Sequence, residues 1–352
     1  MKPSAIAVEE ADISSFDTLI DTRSPAEYAE DHIPGAISAP VLDDEERAQV
    51  GTLYKQASQF DAKRLGAALL AKNVAQHVET LFNDKPQTWR PLVYCWRGGK
   101  RSGAMAAILR EIGWDATTLQ GGYKAYRRWV VAQLEERPSK FRFVVIHGPT
   151  GSGKSRLLAA IARQGGQVLD LEVLAAHRGS VLGGLPGRPQ PSQKMFESRL
   201  LAELRRLDPA SGVFVEGESK KIGELQVPDA LIEAMRAAPC VRLETDLETR
   251  VTLLMEEYRH FLTDQQALAA QLDCLVALHG RAKIAEWKAL GARGEFREGV
   301  RRLLLEHYDP AYKRSSHRNF VRLPEAQVVR IASAEEAAFD AAAADLLEAV
   351  PA

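Results

Sequence analysis

Short apolar runs alternate with helical patterns along the first 134 residues. The runs in DTLIDTR (17–23), RPLVYC (90–95) and ATTLQGG (116–122) predict strands, and GAMAAILREIGW (103–114) predicts a helix that ends at Gly113. Residues 61–82 carry Leu65, Leu69 and Leu70 at helical spacing and predict a further helix. Because strands that alternate with helices are typical of a parallel sheet, residues 1–134 are predicted to form one α/β domain.

A second alternation begins after the charged stretch LEERPSK (134–140). Strands are predicted for the apolar runs FRFVVIH (141–147), VFVEG (213–217), CVRLET (240–245) and VVRIA (328–332). A long helical pattern fills residues 246–308. We therefore predict a linker at 135–140 and, at 141–352, a second α/β domain with a helical extension.

Composition narrows the class of protein without assigning a function. The 352 residues are 45% hydrophobic, enough for two cores, and the formal net charge of −1 gives no overall attraction for nucleic acid, although a local basic face stays open. Three cysteines are too few for a disulfide framework and favour a reducing compartment, and Cys240 and Cys274 are predicted to be inert core thiols. The chain shows neither a signal-peptide pattern nor an apolar run of membrane length, so we expect a cytoplasmic protein without a membrane partner.

The sequence GPTGSGKS (148–155) has the pattern of a phosphate-binding P-loop. It follows a predicted strand and precedes a helical pattern, which is the context in which such a loop presents its N–H groups and a lysine to phosphate. The pattern predicts a diphosphate site formed by Gly148, Gly151, Ser152, Gly153, Lys154 and Ser155.

The nature of the diphosphate compound stays open at this level. An ordinary nucleotidase places an acidic residue at a strand end to help hold Mg²⁺, and here the candidates are Glu216 and Glu218 in place of aspartate. The Gly- and Pro-rich stretch 177–193, with Arg178 and Arg188, cannot be a continuous helix or a central strand. It is either a loop that covers substrate or a surface connection.

The sequence YCWRGGKRSG (94–103) places a cysteine between a predicted strand and a predicted helix. The helix N-terminus and three neighbouring cations favour the thiolate of Cys95, and the glycines allow N–H groups to converge on an anion. Cys95 is therefore the predicted catalytic residue of an anion-binding loop formed by Trp96, Arg97, Gly98, Gly99, Lys100, Arg101 and Ser102. Three interpretations compete: a packed core thiol, a phosphatase nucleophile, or a carrier of sulfur or selenium.

Three segments resemble the rhodanese domain family: DTRSPAEYAEDHIPGAIS (21–38), the Cys95 loop, and LQGGYKAYRRW (119–129). The first carries the family's signature at Asp21, Arg23, Glu27, Tyr28, His32, Ile33, Pro34, Gly35 and Ala36. We interpret these residues as structural, His32 included. The resemblance implies that Cys95 carries a persulfide or its selenium analogue. Five residues separate Cys95 from Arg101, one more than in many sulfurtransferases, and this longer loop also resembles phosphatases built on the rhodanese fold.

A rhodanese-like domain joined to a P-loop domain resembles the tRNA 2-selenouridine synthase family. The likeness is carried by YCWRGGKRSG, LQGGYKAYRRWV, GPTGSGKS, LDLEVLAAHRGSVLGG and VFVEGESKKIG. It implies an enzyme that geranylates a wobble 2-thiouridine of tRNA with geranyl diphosphate and then replaces the geranylthio group with selenium from selenophosphate. Cys95 would be the selenium carrier or a nucleophile. The resemblance implies no tightly bound cofactor and no resident metal, with Mg²⁺ as a candidate ion and a selenophosphate-supplying enzyme as a candidate partner.

Two other classes of function stay open beside this one. The first is a rhodanese-fold phosphatase or sulfurtransferase with a nucleotide-binding regulatory domain, and the second is a nucleotide-gated RNA-binding module. For tRNA binding, the candidate surface is residues 275–322, which hold 11 Lys and Arg against 5 Asp and Glu, interleaved with Trp287, Phe296 and Phe320.

Overall fold

The computed structural model describes residues 5–9, 13–180, 182–217, 219–320 and 322–349, without the side chains of residues 315–319. The chain forms two compact units. The first comprises residues 1–133 and 192–202, and the second comprises residues 134–191 and 203–352. Both units are built on a parallel sheet, which confirms the predicted α/β class.

The first unit contains a five-stranded parallel sheet in the order β1-β5-β4-β2-β3. Its strands are β1 (Ala5–Ile6), β2 (Thr18–Asp21), β3 (Ile37–Ser38), β4 (Pro91–Tyr94) and β5 (Thr117–Leu119). Its helices are α1 (Pro25–Glu30), α2 (Asp44–Gln56), α3 (Gln59–Thr80), α4 (Lys100–Ile112) and α5 (Gly122–Glu136). All four residues of β4 are buried, as expected for a central strand covered on both faces, and β4 ends directly before Cys95.

The predicted helix that ends at Gly113 is confirmed as α4. Gly113 adopts φ 107° at its C-terminal cap, a left-handed conformation that favours glycine. The helix predicted over 61–82 is α3. Residues 135–140 differ from the expected linker, because α5 continues to Glu136 and a 3-10 turn follows at Pro138–Lys140.

Residues 192–202 belong to the first unit, a feature that the hydrophobic pattern did not indicate. Lys194 lies 2.6 Å from the Glu30 carboxylate, and Glu197 pairs with Arg127. The first unit is therefore not a continuous stretch of chain.

The second unit contains a five-stranded parallel sheet in the order β12-β11-β6-β8-β7 and a small antiparallel hairpin. The strands are β6 (Arg142–His147), β7 (Gln167–Leu169), β8 (Gly212–Glu216), the hairpin strands β9 (Lys221–Ile222) and β10 (Leu225–Gln226), β11 (Cys240–Thr245) and β12 (Gln327–Ile331). The helices packed with them include α6 (Lys154–Arg163), α7 (Leu171–Ala175), α8 (Gln193–Arg206), which crosses the boundary between the units at residue 202, α9 (Asp229–Ala237) and, near the end of the chain, α16 (Glu336–Ala349). The central strand β6 leads into the loop at 148–155, at the carboxyl edge where open α/β sheets bind ligands.

The helical extension predicted for residues 246–308 is confirmed. It consists of α10 (Leu247–Glu257), α11 (His260–Thr263), α12 (Gln265–Asp273), α13 (Val276–Ala292), α14 (Phe296–Leu303), a π-helical turn at Leu304–Tyr308, and then α15 (Asp309–Asn319). Cys240 is buried in β11, as predicted. The prediction for Cys274 is wrong: this thiol is exposed, at the residue that follows the last turn of α12.

Candidate functional site

The Cys95 thiol lies at the start of α4 and is 3% exposed. The Gly99 N–H donates to Sγ over 3.3 Å, and the Ser102 hydroxyl donates to it over 3.2 Å. Burial acts to raise the pKa of the thiol, but donors from Ser102, Gly99 and Arg97 outweigh it and lower the pKa below its ordinary value. The thiol is therefore a buried sulfur prepared for negative charge, not an inert core residue.

The stabilising groups differ from those expected from the sequence. The three loop cations were expected to favour the thiolate, but the groups that lower the Cys95 pKa are the Ser102 hydroxyl and backbone N–H groups. The Arg101 guanidinium donates to Glu27 Oε2 over 3.2 Å, and this carboxylate also pairs with Arg47. Arg101 is thus committed to a carboxylate of the rhodanese-like signature.

Two glycines set the shape of the thiol loop. Gly98 (φ 63°) and Gly122 (φ 56°) lie so close that a Cβ on Gly122 would be 2.2 Å from the Cys95 carbonyl oxygen and 2.4 Å from the Gly98 nitrogen. The Tyr123 N–H donates to the same Cys95 oxygen over 2.8 Å. The LQGGY segment therefore clamps the thiol loop by backbone contact alone, which only glycine permits.

The signature residues near the first-unit sheet are structural, as interpreted from the sequence. Asp21 and Arg23 form a fully buried ion pair at 2.6 Å, and the Arg23 guanidinium lies 3.8 Å from the centre of the Tyr123 ring. His32 Nδ1 lies 2.9 Å from the Tyr28 carbonyl oxygen, so this ring nitrogen is satisfied locally. These contacts fix the loop that follows β2, the strand paired with β4, which ends at the residue before Cys95.

The P-loop of the second unit has the backbone geometry of a phosphate cradle. Gly151 and Gly153 adopt φ 77° and 88°, and α6 begins at Lys154. The Lys154 ammonium donates to the Gly148 carbonyl over 3.3 Å. Arg250, buried and paired with Asp309 at 2.6 Å, donates to the Thr150 carbonyl and so holds the loop from the helical side.

Two carboxylates meet the P-loop serine. The Ser155 hydroxyl donates to Glu216 Oε1 over 2.7 Å and lies 3.4 Å from Glu172 Oε2. Glu216 is fully buried at the end of β8, the strand beside β6, and is the acidic strand-end residue that the sequence left in doubt. Glu218 lies outside the described residues.

This donor set fits a magnesium ion. Mg²⁺ favours hard oxygen ligands and is held in phosphate sites by one or two carboxylates together with substrate oxygens and water. Ser155, Glu216 and Glu172 would supply part of its coordination, and oxygens of the bound diphosphate and water the rest. Within the described ranges no group of three or more His, Cys, Asp and Glu side chains is arranged for a metal.

A polar pocket of about 370 Å³ opens at the P-loop. Arg178 lines it, with its guanidinium 3.6 Å from Glu257 and 5.0 Å from the centre of the Tyr258 ring. Arg188 is exposed and does not line this pocket, so the predicted substrate loop brings only one of its two arginines to the site.

His147 also lines the pocket and was not among the predicted site residues. It ends β6, is 3% exposed, and its Nε2 has no hydrogen-bond partner within the described part of the chain. Burial, with the Lys154 charge nearby, lowers its pKa to about 4. The available sequence signal was a titratable residue that directly precedes the P-loop. In the structure its ring packs against Gly217, where a Cβ would lie 2.5 Å from the imidazole.

The basic segment 275–322 differs from the predicted tRNA-binding face. Trp287 and Phe320 are buried, at 2% and 7% exposure, and cannot stack on bases. Most of its cations pair with acidic residues, for example Lys288 with Asp273 at 2.6 Å. Among the described residues of this segment, the exposed cations without an ion-pair partner are Arg281, Lys313 and Arg314.

Comparison with known proteins identifies both units. Residues 7–128 match the model of the rhodanese-like domain family, and residues 141–277 match that of the tRNA 2-selenouridine synthase AAA domain. A tRNA 2-selenouridine synthase of Sulfurovum sp. is 32% identical over 336 residues, which cover 87% of this chain and 90% of the relative. The protein of the same name from Alcanivorax borkumensis is 34% identical over 327 residues, covering 84% of this chain and 88% of the relative.

A further relative with this name, from Nitrosomonas europaea, is 39% identical over 244 residues, or 68% of this chain. The chain spans 63% of that relative's length. Across the described residues, no helix has the length and apolar character needed to cross a membrane.

Proposed function

The chain belongs to the tRNA 2-selenouridine synthase family, and on this premise we propose that it converts a wobble 2-thiouridine of tRNA to 2-selenouridine in two steps. The first step is S-geranylation by geranyl diphosphate, and the second is replacement of the geranylthio group by selenium from selenophosphate. One observation carries the proposal: a single chain holds a thiol prepared for negative charge and a P-loop prepared for diphosphate.

In the first step the thiocarbonyl sulfur of the base attacks C1 of the geranyl group. The S–C1 bond forms as the C1–O bond breaks, and the electron pair leaves on diphosphate. The P-loop N–H groups and Lys154 are aligned for the charge that develops on this leaving group. A magnesium ion held by Ser155 and Glu216 would neutralise part of the diphosphate charge.

In the second step we propose that the Cys95 thiolate acts as a nucleophile. It adds to C2 of the base and expels geranylthiolate, which takes up a proton, and the selenium of selenophosphate then displaces Cys95 from C2. Water cleaves the remaining P–Se bond and releases phosphate. This series of steps needs no oxidant. Loading of selenium onto the Cys95 sulfur, as the selenium analogue of a persulfide, would need one. The N–H groups around Cys95 suit an anionic selenium donor, which a separate enzyme would supply.

The proposal predicts that the two steps fail separately. In a deletion strain complemented with Cys95→Ala, S-geranyl-2-thiouridine should accumulate, because alkylation does not use the thiol. With Lys154→Ala, 2-thiouridine should persist, because departure of diphosphate loses its cation. Mass spectrometry of tRNA nucleosides measures both, with Cys274→Ala, which removes an exposed thiol, as the matched control.

Two results would contradict the proposal. One is 2-selenouridine at its normal level in the deletion strain, which would show that this protein does not carry out the reaction. The other is normal selenation with Cys95→Ala, which would leave the family activity intact but remove the thiol from the chemistry.

For the tRNA we propose contact through exposed cations of the helical extension, at Arg281, Lys313 and Arg314. This smaller set replaces the face that included Trp287 and Phe320. Charge reversal at Arg281 should weaken tRNA binding and reduce its salt dependence, and unchanged binding at several salt concentrations would exclude this residue.

A further inference from the structure

An apolar cavity of about 80 Å³ lies within the helical extension of the second unit. We infer that it seats the hydrocarbon chain of an allylic diphosphate whose diphosphate group occupies the P-loop. This inference rests on the proposed function, and it adds where the chain binds and which chain lengths are accepted.

The lining of the cavity favours hydrocarbon over a nucleobase. Leucine, phenylalanine, methionine and valine side chains form most of its wall, and no charged or amide side chain contributes. The lining residues with polar side chains are Thr150, Tyr258, Tyr308 and Trp287. The Tyr258 hydroxyl already lies 3.2 Å from Ser180 Oγ. A base edge would leave several of its polar atoms unpaired here, while an alkyl chain leaves none.

The cavity adjoins the phosphate site directly. Thr150, Leu254, Tyr258 and Tyr308 line both the cavity and the polar pocket that contains Lys154. The contact is tight at Gly151, where a Cβ would lie 2.8 Å from Leu254. A diphosphate ester bound at the P-loop therefore has apolar surface beside its first carbons.

The size of the cavity limits the length of the chain. At about 80 Å³ it is smaller than the ~150 Å³ cavity that holds a benzene ring, so it suits the end of a branched chain while the rest lies against the shared residues. We therefore expect a ten-carbon chain to be preferred over chains of fifteen or twenty carbons, which need more apolar surface than the cavity and the shared residues offer.

Gly299, in α14, provides a substitution that narrows the cavity. A Cβ at this position makes only an ordinary contact, 3.8 Å from Leu290 Cβ, so Gly299→Val should fill space without a clash at Cβ. Gly51→Val is the matched control, because Gly51 lies in the helix α2 with nothing within 4 Å of its Cβ position. Both variants carry the same change in helix propensity.

The assay measures alkylation of an anticodon stem-loop that contains 2-thiouridine, with dimethylallyl, geranyl and farnesyl diphosphate as donors. Gly299→Val should lower kcat/KM for the geranyl donor at least tenfold relative to the dimethylallyl donor, while Gly51→Val leaves the ratio unchanged. Leu272→Ala, which enlarges the cavity from a residue that is 1% exposed, should improve use of the farnesyl donor. Binding of inorganic diphosphate by each variant reports whether the P-loop is intact.

The outcomes separate this inference from the function on which it rests. If the wild-type chain alkylates the stem-loop with none of the donors, the proposed function fails. If the wild type uses geranyl diphosphate and neither Gly299→Val nor Leu272→Ala changes the ratio between donors, the cavity does not hold the chain and only this inference is overturned. Should Gly299→Val lose diphosphate binding, the Leu272→Ala result decides.

Discussion

Ser102→Ala tests the origin of the Cys95 thiolate. Ser102 is fully buried in α4 and its hydroxyl lies 3.2 Å from Cys95 Sγ, so the substitution removes one donor while alanine maintains the helix. A hydrogen bond to a charged group contributes about 1.5–3 kcal/mol, which corresponds to a loss of about tenfold or more in the ratio of thiolate to thiol at a given pH. We expect the Cys95 pKa to rise, and selenation at neutral pH to fall with it.

The measurement is the ultraviolet absorbance of the thiolate during a pH titration. Each protein is compared with the same protein carrying Cys95→Ala, which cancels the signals of the tyrosines and of Cys240 and Cys274. Ser102→Thr retains the hydroxyl and should restore much of the thiolate. Arg101→Gln tests the alternative source of stabilisation.

Two results would refute the reasoning. A Ser102→Ala titration that overlays the wild type would show that the backbone N–H groups suffice. A larger shift of the Cys95 pKa with Arg101→Gln than with Ser102→Ala would show that the loop cations stabilise the thiolate, as the sequence first suggested.

Two further predictions concern stability. Gly122→Ala should destabilise the protein by roughly 2–5 kcal/mol, because its Cβ would overlap the Cys95 carbonyl at a positive φ. In the same urea titration Gly51→Ala, on an open helix face, should be neutral or stabilising. Equal effects of the two substitutions would show that the close backbone contact at Gly122 does not stabilise the protein. For His147, the folded-state pKa of about 4 lies below the ordinary value of 6.5, so the unfolded chain binds the extra proton and stability falls as pH drops through this window. Between pH ~7.5 and ~4.5 the wild type should lose roughly 2–3 kcal/mol more stability than His147→Gln. Parallel losses in the two proteins would show that His147 is not buried as a neutral group.

The hydrophobic pattern predicts the central strands of both sheets, because parallel strands buried on both faces are continuous apolar runs. It did not predict the short edge strands β1, β3 and β7 or the hairpin β9–β10. Cys240–Thr245 matches its predicted strand at both ends, and β4 and β6 match within one residue. The P-loop and the thiol loop were located for a related reason, since glycine spacing in a strand–loop–helix context is a local property.

Contacts between distant segments could not be predicted in this way. Glu172 reaches Ser155 only because β7 and α7 return the chain to the same edge of the sheet. The sequence likewise could not show that Arg101 pairs with Glu27 rather than facing the thiol. Trp287 and Phe320 were misassigned because aromatics interleaved with cations do not show whether another element covers them.

The return of residues 192–202 to the first unit has a consequence for how the protein is made. During synthesis the rhodanese-like sheet emerges first, yet the segment that carries Lys194 and Glu197 emerges only after the P-loop and the glycine-rich stretch that follows it. Glu30 and Arg127 therefore lack their partners until the start of the second unit has been synthesised, so the first unit cannot be completed before residues 192–202 emerge. A fragment that ends at residue 133 would expose this unfinished surface, and restoring the missing segment as a separate peptide should bring back its cooperative unfolding.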